Sequence, residues 1–175
     1  TGVMEADRSS QRPKLIEFKA IRDVECLKDY RIKIGSSYYI LGSNSCKTLE
    51  KGDFYYVVYT SNDAYNFLLN SGPSGDFNLN NYKYDQWNSL NSILSGTTDV
   101  TLEYMEDGSS TYSEVDKVEG TESADTYNRG WKYKKDTTQV ATYFRSQDWT
   151  NCSECLTSEY TNISAGSGND DSRLE

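Results

Sequence analysis

The sequence predicts an α+β domain in which a curved, mainly antiparallel β-sheet clasps one main amphipathic helix at about 81–95, with a shorter helix at about 62–70. Three observations lead there. Between the polar ends, over residues 14–162, the pattern is mostly an alternation of apolar and polar residues with period two. One mid-chain stretch switches to helical spacing. The aromatic load, 15 Tyr, 5 Phe and 3 Trp, supplies enough ring surface for a core although only 35% of the residues are hydrophobic.

The strands come first. In "LIEFKAI", Ile16, Phe18 and Ala20 face one way and Glu17 and Lys19 the other; in "YRIKI", Tyr30, Ile32 and Ile34 alternate with Arg31 and Lys33. Both read as half-buried strands. "YYIL" (38–41) and "FYYVVY" (54–59) are continuous apolar runs, the pattern of central strands covered on both faces. "LGSNS" and "LEKGD" supply turns between them.

The helices follow. "SNDAYNFLLNSG" sets Ala64, Phe67 and Leu68 at helical spacing behind a Ser61 or Asp63 cap and stops at Gly72. In "NNYKYDQWNSLNSILSG", Tyr84, Trp87, Leu90 and Leu94 share one face beside Ile93, Lys83, Asn88 and Ser92 take the other, and Gly96 ends the pattern. A helix with one apolar stripe needs a partner, and the strands are the candidate. Beyond it, Val100, Leu102 and Tyr104 alternate with Thr101 and Glu103, "EDGSS" marks a hairpin turn, and a weaker strand covers 111–118. "GWKYKK" reads as a strand, with "VATYF" (140–144) as its antiparallel neighbour.

These elements fit one globular domain over residues 14–162. Residues 1–13 read as a flexible polar lead-in and 163–175, rich in Gly, Ser and Asp, as a flexible tail that ends in a vector-like Leu174-Glu175.

Composition removes several function classes. A formal net charge of −9 argues against nucleic acid and against an anionic membrane surface. No apolar run approaches the length of about eighteen residues that a spanning helix needs, so direct membrane insertion is not expected. The chain has no histidine, which removes Ser-His-Asp and Cys-His nucleophile systems and HExxH zinc hydrolases. No phosphate-cradling Gly-rich motif is present, and no local motif nominates a carboxylate pair for glycoside hydrolysis. The expectation is a protein without catalytic residues, metal or cofactor.

Two cysteine sets need weighing. Cys152 and Cys155 have C-x-x-C spacing, but Cys26 and Cys46 do not make a second close pair, and too little chain follows Cys155 for a thioredoxin-like body. Structural disulfides or free thiols are favoured over metal, with the connectivity open. Asn151 and Asn162 match the glycosylation acceptor pattern, which has meaning only on a secretory route.

The stretch "TYNRGWKYKK" (126–135) concentrates rings and cations in an acidic chain. Exposed aromatics cover the apolar face of a sugar while Asn, Arg or Lys bond its hydroxyl rim. Trp131, Tyr127, Arg129 and Asn128 are therefore the candidate glycan-binding residues, with Arg145 and Trp149 forming a second aromatic–cation cluster. The plain alternative is that Trp131 and Tyr133 are core, Lys132 and Lys134 the wet face, and Arg129 the partner of a carboxylate.

A histidine-free, Tyr/Asn/Ser-rich domain that follows a polar lead-in and ends in "NDDSR", a tryptic site if Leu174 and Glu175 are vector-derived, resembles the protease-released head of the rotavirus outer-capsid spike. The mid-domain helix fits the non-galectin, group B type, whose β-sheet clasps an α-helix. The resemblance implies a non-enzymatic attachment domain on the virion surface that binds host glycans, N-acetyllactosamine-containing ones among them, and adjoins the remainder of the spike protein. The alternative is a secreted protein-binding or immune-modulating domain, its acidic surface steered toward basic partners.

Overall fold

A computed structural model of the chain describes residues 2–5, 14–43, 45–59, 81–95, 98–120, 130–134 and 149–152. The strands are β1 (Gly2–Glu5), β2 (Lys14–Lys19), β3 (Tyr30–Ile34), β4 (Ser37–Ile40), β5 (Phe54–Val58), β6 (Lys83–Gln86), β7 (Val100–Met105), β8 (Tyr112–Val118), β9 (Gly130–Lys134) and β10 (Trp149–Cys152). They form a six-stranded sheet in the order β10-β9-β1-β2-β5-β6 and a four-stranded sheet in the order β4-β3-β7-β8. Every pairing is antiparallel except β5 with β6.

The α+β expectation is corrected: the fold is mainly β. Among the described residues, helix is limited to a 3-10 turn at Leu27–Asp29, a single 3-10 position at Asn81 and α1, the four residues Leu90–Ile93. The helix expected at about 81–95 is instead β6, a bend and one α-turn. Its sequence explains this. Asn, Ser, Asp, Tyr and Trp are poor helix formers, and "NNYKYDQWNS" contains little else. The exposed side of β5 meanwhile offers a full ladder, which Lys83–Gln86 takes in parallel register with Tyr55–Val58. The apolar stripe was nevertheless a true burial signal: Trp87, Leu90 and Leu94 are 8%, 0% and 1% exposed and belong to the core. The expected helix at about 62–70 lies outside the described residues, as do 163–175.

The core lies between the sheets. Ile16, Phe18, Tyr55 and Val57 come from one sheet, Ile32, Ile34, Val100 and Val118 from the other, and Leu27, Leu41, Leu49, Trp87, Leu90 and Leu94 close the ends. β5 fits its apolar run, because Tyr55, Tyr56, Val57 and Val58 are all buried although they point to opposite faces. "YYIL" does not become a covered strand. β4 is the edge of the four-stranded sheet, and Tyr38 and Ile40 are 49% and 46% exposed.

Residues 2–5, expected within a flexible lead-in, form β1 between β2 and β9. The ladder partners described for β9 are β1 and β10; the strand expected at 140–144 lies outside the described residues. Cys26 and Cys46 form a disulfide with Cα atoms 5.0 Å apart. It joins the segment before β3 to the segment after β4, and so clasps the base of the β3–β4 hairpin.

Candidate functional site on the outer face of the four-stranded sheet

β3 turns its odd-numbered side chains away from the core. Ile32 and Ile34 are buried, so Arg31 and Lys33 lie on the outer face. Gly35 then starts a two-residue turn with φ +57°, a left-handed conformation that glycine takes without a Cβ clash and that matches the twist of a tight hairpin. This turn fixes the register Lys33↔Tyr38 and Arg31↔Ile40, which puts Tyr38 and Ile40 on the same outer face as the two cations.

On the other side of β3, Arg31 stands opposite Glu103 of β7. Its Nε donates to the Glu103 carboxylate at 2.5 Å, and Lys33 Nζ lies 3.9 Å from the other carboxylate oxygen. Glu103 is 8% exposed, so its charge is sustained by this pairing rather than by water. The Arg31 guanidinium also lies 4.2 Å from the ring centre of Tyr38 and 3.8 Å from that of Tyr112. Two cation–π contacts and an ion pair hold one planar group, an arrangement suited to Arg and not to Lys.

Tyr112 reaches this cluster because β8 is bulged. Val118 pairs with Val100 and Asp116 with Leu102, but Glu103 pairs with Glu114 and Met105 with Tyr112. Val115 is the extra residue. Without it, Tyr112 would keep the parity of buried Val118 and point inward. One inserted residue re-aims the ring toward Arg31.

A separate polar network supports the far end of the hairpin. The Gly42 N–H donates to Asp85 at 2.6 Å, and Lys47 Nζ donates to the same carboxylate at 2.8 Å and to the Tyr84 carbonyl at 2.7 Å. Gly42 has φ +58°, and a Cβ there would sit 3.0 Å from the Ser45 carbonyl oxygen, so the close turn requires glycine. Burial and then the nearby Asp85 carboxylate push the Tyr39 hydroxyl up to about 12. The same two causes raise Tyr55. Tyr39 also stacks on Trp87 at 5.1 Å. These contacts anchor β4 from beneath and leave its outer face free of them.

A cavity between the sheets is lined by Ile16, Phe18, Val100, Leu102, Asp116, Lys117 and Val118 and holds about 10 Å³. That is room for one water, not for a sugar ring. Among the described residues, no group of three or more His, Cys, Asp or Glu is placed to hold a metal, and no helix is long and apolar enough to cross a membrane.

Of the residues marked by the sequence, Trp131 lies in β9 with backbone partners Met4 and Cys152. Trp149 opens β10 opposite Lys134, and Asn151 stands opposite Lys132; the side chains of these strands are not among those described. Tyr127, Asn128, Arg129, Arg145, Cys155 and Asn162 lie outside the described residues. Arg31, Tyr38, Glu103 and Tyr112 were missed. The Gly35-Ser36 pair between two alternating runs was a readable hairpin signal that would have placed Tyr38 beside Arg31 and Lys33. Nothing comparable pointed to Tyr112.

The fold also departs from the helix-clasping head that the resemblance implies. No protein-family model, curated protein sequence or solved structure matches this chain.

Proposed function

We propose that this chain is a non-enzymatic recognition domain that binds host cell-surface glycans through the outer face of its four-stranded sheet. The observation that carries this reading is the Tyr38 ring, half exposed and braced by the Arg31 guanidinium, which is itself held by Glu103 and Tyr112. A ring fixed in this way is a stacking platform that loses little further freedom when a sugar settles on it. Lys33, the Tyr112 hydroxyl and the exposed Glu114 carboxylate supply donors and acceptors for the hydroxyl rim. The acidic protein thus presents a locally mixed patch, suited to neutral or weakly acidic glycans such as lactosamine types. A flat site of this kind binds weakly, and many copies on one particle supply avidity. In the setting that the resemblance implies, the particle is a virion and the neighbouring surface is the remainder of a spike protein.

The second reading, a secreted protein-binding domain, is favoured by the Cys26–Cys46 disulfide, since such bonds persist in oxidising compartments.

A glycan-array screen of the purified domain tests both. Selective retention of lactosamine-type glycans is expected, with Tyr38→Ala weakening it at least about tenfold, equivalent to about 1.4 kcal/mol, while circular dichroism stays unchanged. Loss in Trp131→Ala with retention in Tyr38→Ala would move the site to residues 126–135. Retention of no glycan would overturn the carbohydrate reading in favour of the protein-binding one.

A further inference from the structure

The two edges of the four-stranded sheet are built differently. β8 carries Glu114, Asp116 and Lys117 together with the bulge at Val115, the usual protections against a strand adding to an edge. β4 has neither. Its four residues, Ser37, Tyr38, Tyr39 and Ile40, include no charge, no proline and no bulge, in a chain that is 26% charged.

The ladder says which groups of β4 face outward. The Leu41 N–H donates to the Tyr30 carbonyl at 3.0 Å, and the register from there is unbroken: Ile40↔Arg31, Tyr39↔Ile32, Tyr38↔Lys33, Ser37↔Ile34. Antiparallel pairs alternate between hydrogen-bonded and non-bonded. Leu41 and Tyr39 therefore turn their backbone groups toward β3, and Tyr38 and Ile40 turn theirs to the open edge. The same two residues carry the exposed side chains.

We infer that β4 pairs antiparallel with β4 of a second copy of this chain, about a two-fold axis at Tyr39. In that register Tyr38 meets Ile40 of the second copy, and Ile40 meets its Tyr38. Both are hydrogen-bonded pairs, so all four outward N–H groups find carbonyls. A tyrosine ring also lies against an isoleucine twice on the outer face, an aromatic–β-branched match. Self-complementarity selects a second copy, because the two exposed side chains of β4, Tyr38 and Ile40, each find the other across the axis. Two molecules of net charge −9 repel over most of their surface, and β4 brings no charge to the junction. Arg31 and its symmetry mate are separated by three strand spacings, about 14 Å, beyond the Debye length of about 8 Å at physiological salt. The pairing is isologous and closes on itself. It stands on the backbone edge, independently of the glycan reading, but would set two Tyr38–Arg31 clusters on one continuous sheet.

The test is sedimentation equilibrium of the intact chain over a wide concentration range, with amide hydrogen exchange read residue by residue. The expected result is a reversible dimer in which the Tyr38 and Ile40 amides slow with rising concentration while Tyr39 and Leu41 stay unchanged. Ile40→Pro removes an edge-facing donor without touching the β3–β4 ladder, and Ile40→Lys places a charge on the edge. Each is expected to raise the dimer Kd by about tenfold or more. A chain that stays monomeric at every concentration overturns the inference. So does a dimer that both folded variants leave intact, or one that forms without slowing exchange at Tyr38 and Ile40.

Discussion

"SYYI" and "FYYVV" are near relatives in sequence and opposites in the fold. Ser37–Ile40 becomes the open edge of the smaller sheet, with Tyr38 and Ile40 about half exposed. Phe54–Val58 becomes an interior strand of the larger sheet, flanked by β2 and β6, with Tyr55, Tyr56, Val57 and Val58 each at most 1% exposed. Both contain a Tyr-Tyr pair. The difference lies in their neighbours: a tight turn returns β4 directly onto β3, whereas β5 is met on both sides and packed on both faces. A paired tyrosine in a strand signals stacking surface, not depth.

The largest expected effect tests that contrast in stability. Tyr55→Ala removes a ring from the centre of the core and should cost about 3–5 kcal/mol, whereas Tyr38→Ala loses only exposed cation–π contact and should cost under about 1 kcal/mol. Urea unfolding midpoints of the two variants check this, and equal costs would mean that β4 is covered in solution. The next effect concerns what keeps the β4 hairpin in place. Replacing Cys26 and Cys46 together by Ser opens a loop closed across 20 positions and should cost about 3 kcal/mol, with a native-like spectrum retained at low temperature. A midpoint identical to that of wild type under oxidising conditions would mean that the bond contributes nothing to the fold.

The smallest effect is a pH dependence that sets the anchored tyrosines apart. The folded pKa of Tyr39 is raised to about 12 by burial and Asp85, and those of Tyr55 and Tyr56 are raised by burial, with Asp85 and Glu17 as the next causes. The folded state thus favours the protonated phenols. Their contribution is complete below the unfolded pKa of about 10 and is lost as pH climbs through the folded values. Stability should begin to fall above about pH 10, and the tyrosinate absorbance of these residues should appear only with unfolding. Early, reversible ionisation of all tyrosines in the folded protein would contradict their burial.

Much of the strand layout was legible because period two is a local property. "LIEFKAI", "YRIKI", the alternation at 100–104, the hairpin at "EDGSS" and the strand at "GWKYKK" each became a strand or turn where expected. The stripe Trp87, Leu90 and Leu94 was legible as burial but not as conformation, since i, i+3, i+7 spacing describes which residues are apolar and not whether the backbone coils. The parallel ladder offered by β5 outweighed a weak helix propensity. Strand β1 was hidden by its polar surroundings, and its partners lie nine or more positions away in the chain.

By itself, then, the sequence determined a β-rich, acidic, histidine-free chain, the faces of its best strands, and the aromatic and cationic chemistry available for recognition. These follow from composition and from contacts within a few residues. Only the tertiary structure decided that there are two sheets, that β4 is an edge and β5 is interior, and that Arg31 lies between Tyr38 and Tyr112. The first two depend on which strands become neighbours. The third depends on a single bulged residue in β8, because a shift of one position reverses the face of every side chain beyond it.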